Sequence, residues 1–288
     1  MTIQDATFQL LKKLRTIYSE NEASEITDLV MEFLTGSKKA ERMIYKNEAI
    51  TNDEEARLME IIEKLINNQP VQYVLGEAWF FGMKFKVNNS VLIPRPETEE
   101  LVDWVIKEIK ANYLTGKKHY SIIDIGTGSG CIPITLKKKI PVLEVTAIDV
   151  CSEAIYVAAE NATELETEIE FILMDFLDNK TWNSLKKFDI IISNPPYIRH
   201  SESEHMHRRV KDHEPHLALF VPNNDALIFY RNLADFAAEH LKMGGCIFTE
   251  INEALGNEVS VLFESKGLGK IEIRKDMQGK NRMIKAQN

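Results

Sequence analysis

The sequence predicts an α/β fold, a doubly wound and mostly parallel sheet that follows a small all-helical domain. Three observations carry that expectation. From residue 94 to residue 288 short apolar runs alternate with helical segments, the order that builds a parallel sheet with helices on both faces. Gly126-Thr127-Gly128-Ser129-Gly130 joins the first of those runs to a helix through a glycine-rich turn. Before residue 76 the apolar residues recur at helical spacing instead.

In chain order, Phe8, Leu11, Leu14, Ile17 and Tyr18 predict a first helix, and Ile26, Leu29, Val30 and Phe33 a second that Gly36 ends. Ser37 can cap a third. Thr51 and Glu54 form a capping box for a fourth, whose stripe is Met59, Ile62, Leu65 and Ile66. Residues 1–75 are therefore expected to be a small helical domain, and substrate recognition is the role expected of it. Alternation through Phe81, Met83, Phe85 and Val87, with Asn88-Asn89 as the turn, predicts a β-hairpin linker over residues 76–93. Residues 94–288 then form the sheet domain, with strands over 121–125, 143–148, 170–173, 188–193, 246–251 and 270–274.

At 288 residues and 44% hydrophobic content the chain can bury an ordinary core. It shows neither a membrane-length apolar stretch nor a signal-peptide order at its N-terminus, so a cytoplasmic protein without a membrane partner is expected. Cys131, Cys151 and Cys246 lack a CxxC spacing, which argues against a disulfide framework or a zinc site. Lys and Arg number 35 against 44 Asp and Glu, a formal net charge of -9 that speaks against a broad phosphate-tracking surface.

The most informative motif is Asn194-Pro195-Pro196-Tyr197, directly after the apolar run 188–193. Two prolines hold the turn extended and remove the backbone N–H at 195 and 196. The Asn194 side-chain oxygen and the Pro195 carbonyl can accept from one NH₂ group, and Tyr197 offers a flat face for a planar amide or base. Asn194 and Pro195 are thus the candidate catalytic residues, and Asn194, Pro195, Pro196 and Tyr197 candidate substrate contacts. Arg95, Glu97 and Thr98, just before a predicted helix over 99–110, suit either a wall of the same pocket or a helix-capping turn.

For a cofactor, Gly126, Thr127, Gly128, Ser129 and Gly130 give a G-x-G-x-G spacing instead of the G-x-G-x-x-G of pyrophosphate binders. Asp149 ends the second strand, where a carboxylate can accept both ribose hydroxyls or, alternatively, cap the following helix. Asp175 and Phe176 end the third, offering an acceptor for an adenine amino group and an aromatic edge for its ring. Together these strand ends describe S-adenosylmethionine better than a dinucleotide.

Pro94-Arg95-Pro96-Glu97-Thr98-Glu99, then 124–130, then Ser193-Asn194-Pro195-Pro196-Tyr197-Ile198, in this order behind a helical region, resembles the bacterial protein-glutamine N5-methyltransferase family that modifies peptide chain release factors. Gln69 to Tyr73, Glu214-Pro215, Gly244-Gly245 and the stretch from Asp276 to Arg282 extend the likeness. The resemblance implies a Rossmann-like methyltransferase sheet of seven strands with one antiparallel. It implies S-adenosylmethionine as methyl donor, S-adenosylhomocysteine as product, and the glutamine of the Gly-Gly-Gln loop of class 1 release factors as acceptor. It also implies that Asn194 touches the cofactor as well as the substrate; separately, a monomer is expected, and the acidic balance speaks against a direct nucleic-acid partner.

Asn-Pro-Pro-Tyr is shared with adenine-N6 nucleic-acid methyltransferases, which remain the alternative. They need a basic channel and a target-reading domain, and the acidic stretches 20–28 and 53–60 do not suit one. A non-catalytic cofactor-binding adaptor would not need Asn194 and both prolines. His200, His205, His207, His213 and His216 crowd into 199–216 without fixed ligand spacing, so no metal is expected. That stretch reads as a mobile loop covering the active site.

Overall fold

The computed structural model describes residues 1–113 and 119–288. They divide into two compact units, Met1–Glu77 with His207–His213, and Ala78–Met206 with Glu214–Asn288.

The first unit is helical: α1 (Ile3–Leu14), α2 (Glu20–Thr35), α3 (Lys39–Ile44), α4 (Asn52–Ile66) and α5 (Val71–Leu75). Its helix starts follow local chemistry. Thr2, Ser19 and Thr51 each accept a backbone N–H three residues on, and Gly36 ends α2 in the left-handed region at φ 65°. Ser37 does not cap α3; its carbonyl accepts from Arg42 at 2.6 Å instead. The buried stripes are Ala6, Leu10 and Leu14 on α1, Ala23, Ile26, Thr27, Val30 and Met31 on α2, and Leu58, Ile61, Ile62 and Leu65 on α4. Each helix is rotated from the phase its larger apolar residues suggest, leaving Phe8 65% and Ile66 40% exposed. Small Ala6 and Ala23 let the helices approach closely, and that wins over burying Phe8. The segment His207–His213 joins this unit through Arg209, which pairs with Glu22 and lies over the Tyr18 ring at 4.0 Å.

The second unit opens with β1 (Glu77–Phe80) and β2 (Met83–Lys86). The hairpin turn falls at Phe81 and Gly82, not at Asn88-Asn89. Both have positive φ, 52° and 78°, the left-handed pair that matches the twist of a two-residue turn. There follow α6 (Pro96–Tyr113), β3 (Ser121–Ile125), α7 (Cys131–Lys139), β4 (Glu144–Asp149), α8 (Ser152–Glu164), β5 (Glu170–Leu173), β6 (Phe188–Ser193) and β7 (Ile198–Arg199). The stretch expected as a loop carries a 3₁₀ turn over His200–His205, then α9 (Arg208–His213) and α10 (His216–Leu219). The chain ends with β8 (Phe220–Val221), α11 (Ile228–His240), β9 (Leu241–Glu250), α12 (Gly256–Ser265), β10 (Gly269–Lys275) and β11 (Asn281–Gln287).

Seven strands form one sheet in the order β10-β11-β9-β6-β3-β4-β5. β5, β4, β3, β6 and β9 run parallel, and β11 runs antiparallel to both β9 and β10. This is the S-adenosylmethionine-dependent methyltransferase architecture that the resemblance implies, one reversed strand included. β11 has no counterpart in the apolar pattern, because Asn281, Arg282, Lys285 and Gln287 interrupt it. The central strands are buried on both faces. Ile122, Ile190, Ile192 and Phe248 pack with α6 and α7 on one side, while Ile123, Ile191 and Ile247 pack with α11 and α12 on the other. Asn161 of α8 pins two connections: it bonds both the N–H and the carbonyl of Lys86 and donates to the carbonyl of Ser129 at 2.9 Å. Among the described residues no helix is long and apolar enough to cross a membrane.

Candidate active site

At their carboxyl ends β3 and β6 are neighbours, with Ile125 opposite Ser193, and the strand order departs from them in two directions. Open parallel sheets form their ligand crevice at such a switch point. A cavity of about 500 Å³ lies there, inside the range of about 300–1,000 Å³ of small-molecule sites.

The glycine loop forms its first wall. Gly126 and Thr127 donate to the Ile148 carbonyl at 2.9 and 3.0 Å, which folds the turn back onto β4. Gly126 and Gly128 have φ of 76° and 54°, and nothing lies within 4 Å of where a side chain would begin. A ligand can therefore reach their backbone. Gly130 differs: a methyl there would meet Ile134 at 3.0 Å and Ala158 at 3.1 Å. It seats α7 against α8 and does not line the cavity, whereas Gly126, Thr127, Gly128 and Ser129 do. Pro133 sits in the first turn of α7, where its missing N–H costs nothing.

Asp149 ends β4 and lines the cavity. One of its oxygens accepts from the Gly128 N–H at 2.8 Å and the other from the Cys151 N–H at 2.9 Å, so it braces the glycine loop and the turn before α8, whose N-cap residue is Cys151 and which has no side-chain cap. Burial raises its carboxyl, and the backbone N–H groups oppose that rise. Asp175 and Phe176 line the cavity too. Phe176 is buried and stacked on Trp182 at 5.3 Å, which leaves its edge for a ligand, while Asp175 is exposed and accepts from the Leu177 N–H.

The Asn-Pro-Pro turn supplies the opposite wall. Ser193 donates to the Ile125 carbonyl at 2.7 Å and ties its start to β3. The Asn194 Nδ2 donates to Thr98 Oγ1 at 3.0 Å, which leaves the side-chain oxygen as the acceptor. Asn194, Pro195 and Pro196 line the cavity with Arg95 and Thr98. Arg95 and Thr98 are not a cap before a helix starting at 99: α6 begins at Pro96, and Thr98 is buried in its first turn. Arg95 pairs with the buried Glu214 at 2.6 Å. Two expected substrate contacts do not line this cavity, Tyr197 and Glu97. Tyr197 packs on the core that holds Tyr230 and Ile251, where burial pushes its hydroxyl up to about 12.

Several residues went unmarked as site residues in the sequence. Asp124, on β3 behind the glycine loop, is fully buried, neither of its oxygens has a hydrogen-bond partner among the described residues, and burial pushes its carboxyl up to about 7. Glu250, at the end of β9, is buried beneath Thr98 and accepts from its hydroxyl. Both interrupt an apolar strand with a carboxylate, a signal the sequence does carry. The 89–92 connection, Leu217, Ala218 and Phe229 also line the cavity, without any such mark.

His200 and His216 flank the Phe220 ring at 5.1 and 5.2 Å, and His207 and His213 belong to the helical unit. Among the described residues no three His, Cys, Asp or Glu side chains form a group that could hold a metal ion.

The PrmC N-terminal domain matches residues 6–76, and the Methyltransferase small domain matches residues 106–218. The release factor glutamine methyltransferase of Flavobacterium psychrophilum is 40% identical over 286 residues, 99% of each chain. The protein of that name from Lactococcus lactis is 39% identical over 95% of this chain and 98% of its own, and the one from Bacteroides thetaiotaomicron 36% over 97% and 98%. Among solved structures, the T. thermophilus 16S rRNA N2 G1207 methyltransferase RsmC, in complex with AdoMet and guanosine, superposes with a TM-score of 0.53 at 16% identity. That match covers 74% of this chain and 49% of the other, a likeness of fold. On its relatives' near-complete coverage, the chain belongs to the release factor glutamine methyltransferase family.

Proposed function

We propose that this protein transfers a methyl group from S-adenosylmethionine to the side-chain amide nitrogen of the glutamine in the Gly-Gly-Gln loop of class 1 peptide chain release factors, and so modulates translation termination. The observation that carries this reading is the orientation of Asn194. Its NH₂ is committed to Thr98, so beside a ligand-sized cavity its oxygen and the Pro195 carbonyl are left as acceptors for an uncharged NH₂ group.

The residues present fit S-adenosylmethionine, which when bound supplies an electrophilic methyl on a sulfonium. Gly126 and Gly128 leave backbone room, Asp149 has lone pairs for ribose hydroxyls, and Asp175 with Phe176 suits an adenine edge.

A primary amide is a poor nucleophile, because its nitrogen lone pair is delocalised into the carbonyl. Asn194 and the Pro195 carbonyl each accept one N–H of the glutamine, turn its nitrogen toward the cavity and stabilise positive charge that grows there. No ionised base is needed beforehand, since the nitrogen loses its proton readily once alkylated. Arg95, Thr98 and Pro196 wall the glutamine side of the cavity. The net charge of -9 favours a protein over a nucleic-acid acceptor, and on this reading the protein works as a monomer in the cytoplasm.

Mass spectrometry of a class 1 release factor incubated with the protein and methyl-labelled S-adenosylmethionine should find one methyl on the Gly-Gly-Gln glutamine. Label in the adenines of a nucleic acid, with none in the release factor, would overturn the reading.

A further inference from the structure

We infer that Glu250 and Thr98 form a hydrogen-bond relay that sets the orientation of the Asn194 amide, which makes Glu250 a positioning residue for the methyl transfer proposed above. The inference rests on that role of Asn194. The relay joins three elements: Asn194 follows β6, Thr98 lies in the first turn of α6, and Glu250 ends β9. Asn194 Nδ2 donates to Thr98 Oγ1 at 3.0 Å, and Thr98 Oγ1 donates to Glu250 Oε1. Thr98 and Glu250 are 2% and 1% exposed, so water does not compete for either.

The direction of the relay follows from charge. An ionised carboxylate only accepts, so the single Thr98 hydroxyl proton is committed to Glu250, and Thr98 can then only accept from its other neighbour. Asn194 must therefore present its NH₂ to Thr98 and its oxygen to the other side. The same anion polarises the two hydrogen bonds in series and enriches the Asn194 oxygen as an acceptor. A protonated Glu250 reverses this. It can donate to Thr98, which frees the hydroxyl to donate to the Asn194 oxygen, and the amide turns its NH₂ toward the substrate's NH₂. The groups that face Glu250 are Arg95, Glu97, Tyr197, Tyr230, Arg282 and Cys131; the two arginines favour its anion, while burial and Glu97 oppose it. Burial prevails and brings its carboxyl to about 7.

The test combines kinetics on a class 1 release factor, calorimetric affinity for S-adenosylmethionine, and ¹⁵N NMR of the Asn194 side-chain amide in the protein alone. Thr98→Val should lower kcat about 100-fold with cofactor affinity changed by less than about twofold, and Thr98→Ser should stay within about threefold of wild type. In the wild type, kcat should fall as pH drops through about 7, and the Asn194 amide resonance should move over the same interval. Both effects should vanish in Glu250→Gln. Unchanged kcat in Thr98→Val, or an Asn194 resonance that does not respond to pH in the wild type, overturns the relay. The wild-type titration decides this where a variant fails to fold. A wild type that methylates no release factor sinks the functional reading instead, and the resonance still reports on the relay.

Discussion

The two units differ in the charge they bury: the helical unit buries Arg42, paired with Asp28 at 2.9 Å, and the sheet unit buries carboxylates. In the helical unit the core is thin and made largely of alanine, leucine and isoleucine, and large apolar residues such as Phe8 and Ile44 stay outside at 65% and 74% exposure. In the sheet unit the strands are covered on both faces, and carboxylates are buried inside it, Asp124, Asp189 and Glu250 among them. Asp189 is satisfied by Ser121 and Lys242 at the far edge of the sheet, whereas Asp124 and Glu250 lie at the ligand edge. One unit owes its stability to close packing. The other accepts destabilising charge where chemistry is done.

The strongest way to break this contrast is at the turn after β6. Asn194→Ala should lower kcat about 1,000-fold while cofactor affinity and melting temperature hardly move; equal losses in turnover and affinity would make Asn194 mainly a cofactor ligand. Next in size is the packing side. Leu10→Ala should cost about 2–5 kcal/mol in denaturant unfolding, while Phe8→Ala should stay within about 0.5 kcal/mol. Similar losses in the two variants would contradict a helix phase that buries Leu10 and exposes Phe8. Asp149→Ala should weaken S-adenosylmethionine binding about 10- to 100-fold, because each charge-assisted hydrogen bond is worth about 1.5–3 kcal/mol. Unchanged affinity by calorimetry would leave Asp149 as a loop brace alone.

A smaller effect concerns pH. Burial raises Asp124 and Glu250 from 3.8 and 4.5 to about 7, so the folded chain holds protons that the unfolded chain has released in that window. Stability therefore falls as pH rises through it, and the whole penalty is present above about 7. Glu250→Gln should show a shallower fall in melting temperature between about pH 5 and about pH 8, and an identical slope would deny Glu250 its raised value. Smallest of all, Tyr197→Phe should change kcat by about twofold at most, since Tyr197 does not line the cavity and its hydroxyl bonds Arg282 instead.

The legible parts of the sequence were those where one residue type admits one geometry. Left-handed glycines, a double proline and a carboxylate closing an apolar strand each have few uses, and Gly128, Pro195 and Asp149 all line the cavity at the strand ends. Helix phase in the first unit was not legible, because Leu10 and Leu11, or Leu58 and Met59, offer nearly equal apolar faces and neighbouring helices decide between them. β11 was hidden for a related reason. It is paired on both sides yet only half-apolar, since Lys285 reaches out to Glu108 and Arg282 to Asp276. Glu250 carried a signal in plain view, but its meaning depends on Thr98, 152 positions away in the chain.

The insertion of β11 between β9 and β10 has a consequence for biosynthesis. Among the described residues β10 bonds to no strand but β11, so a nascent chain that has emerged as far as Lys275 carries an unpaired strand beside the open flank of β9. Both gaps close in one event when the following segment arrives, and the ribosome must deliver that segment before the enzyme can finish assembling. Loss of 281–287 would leave two unpaired edges at once, an invitation to intermolecular strand pairing.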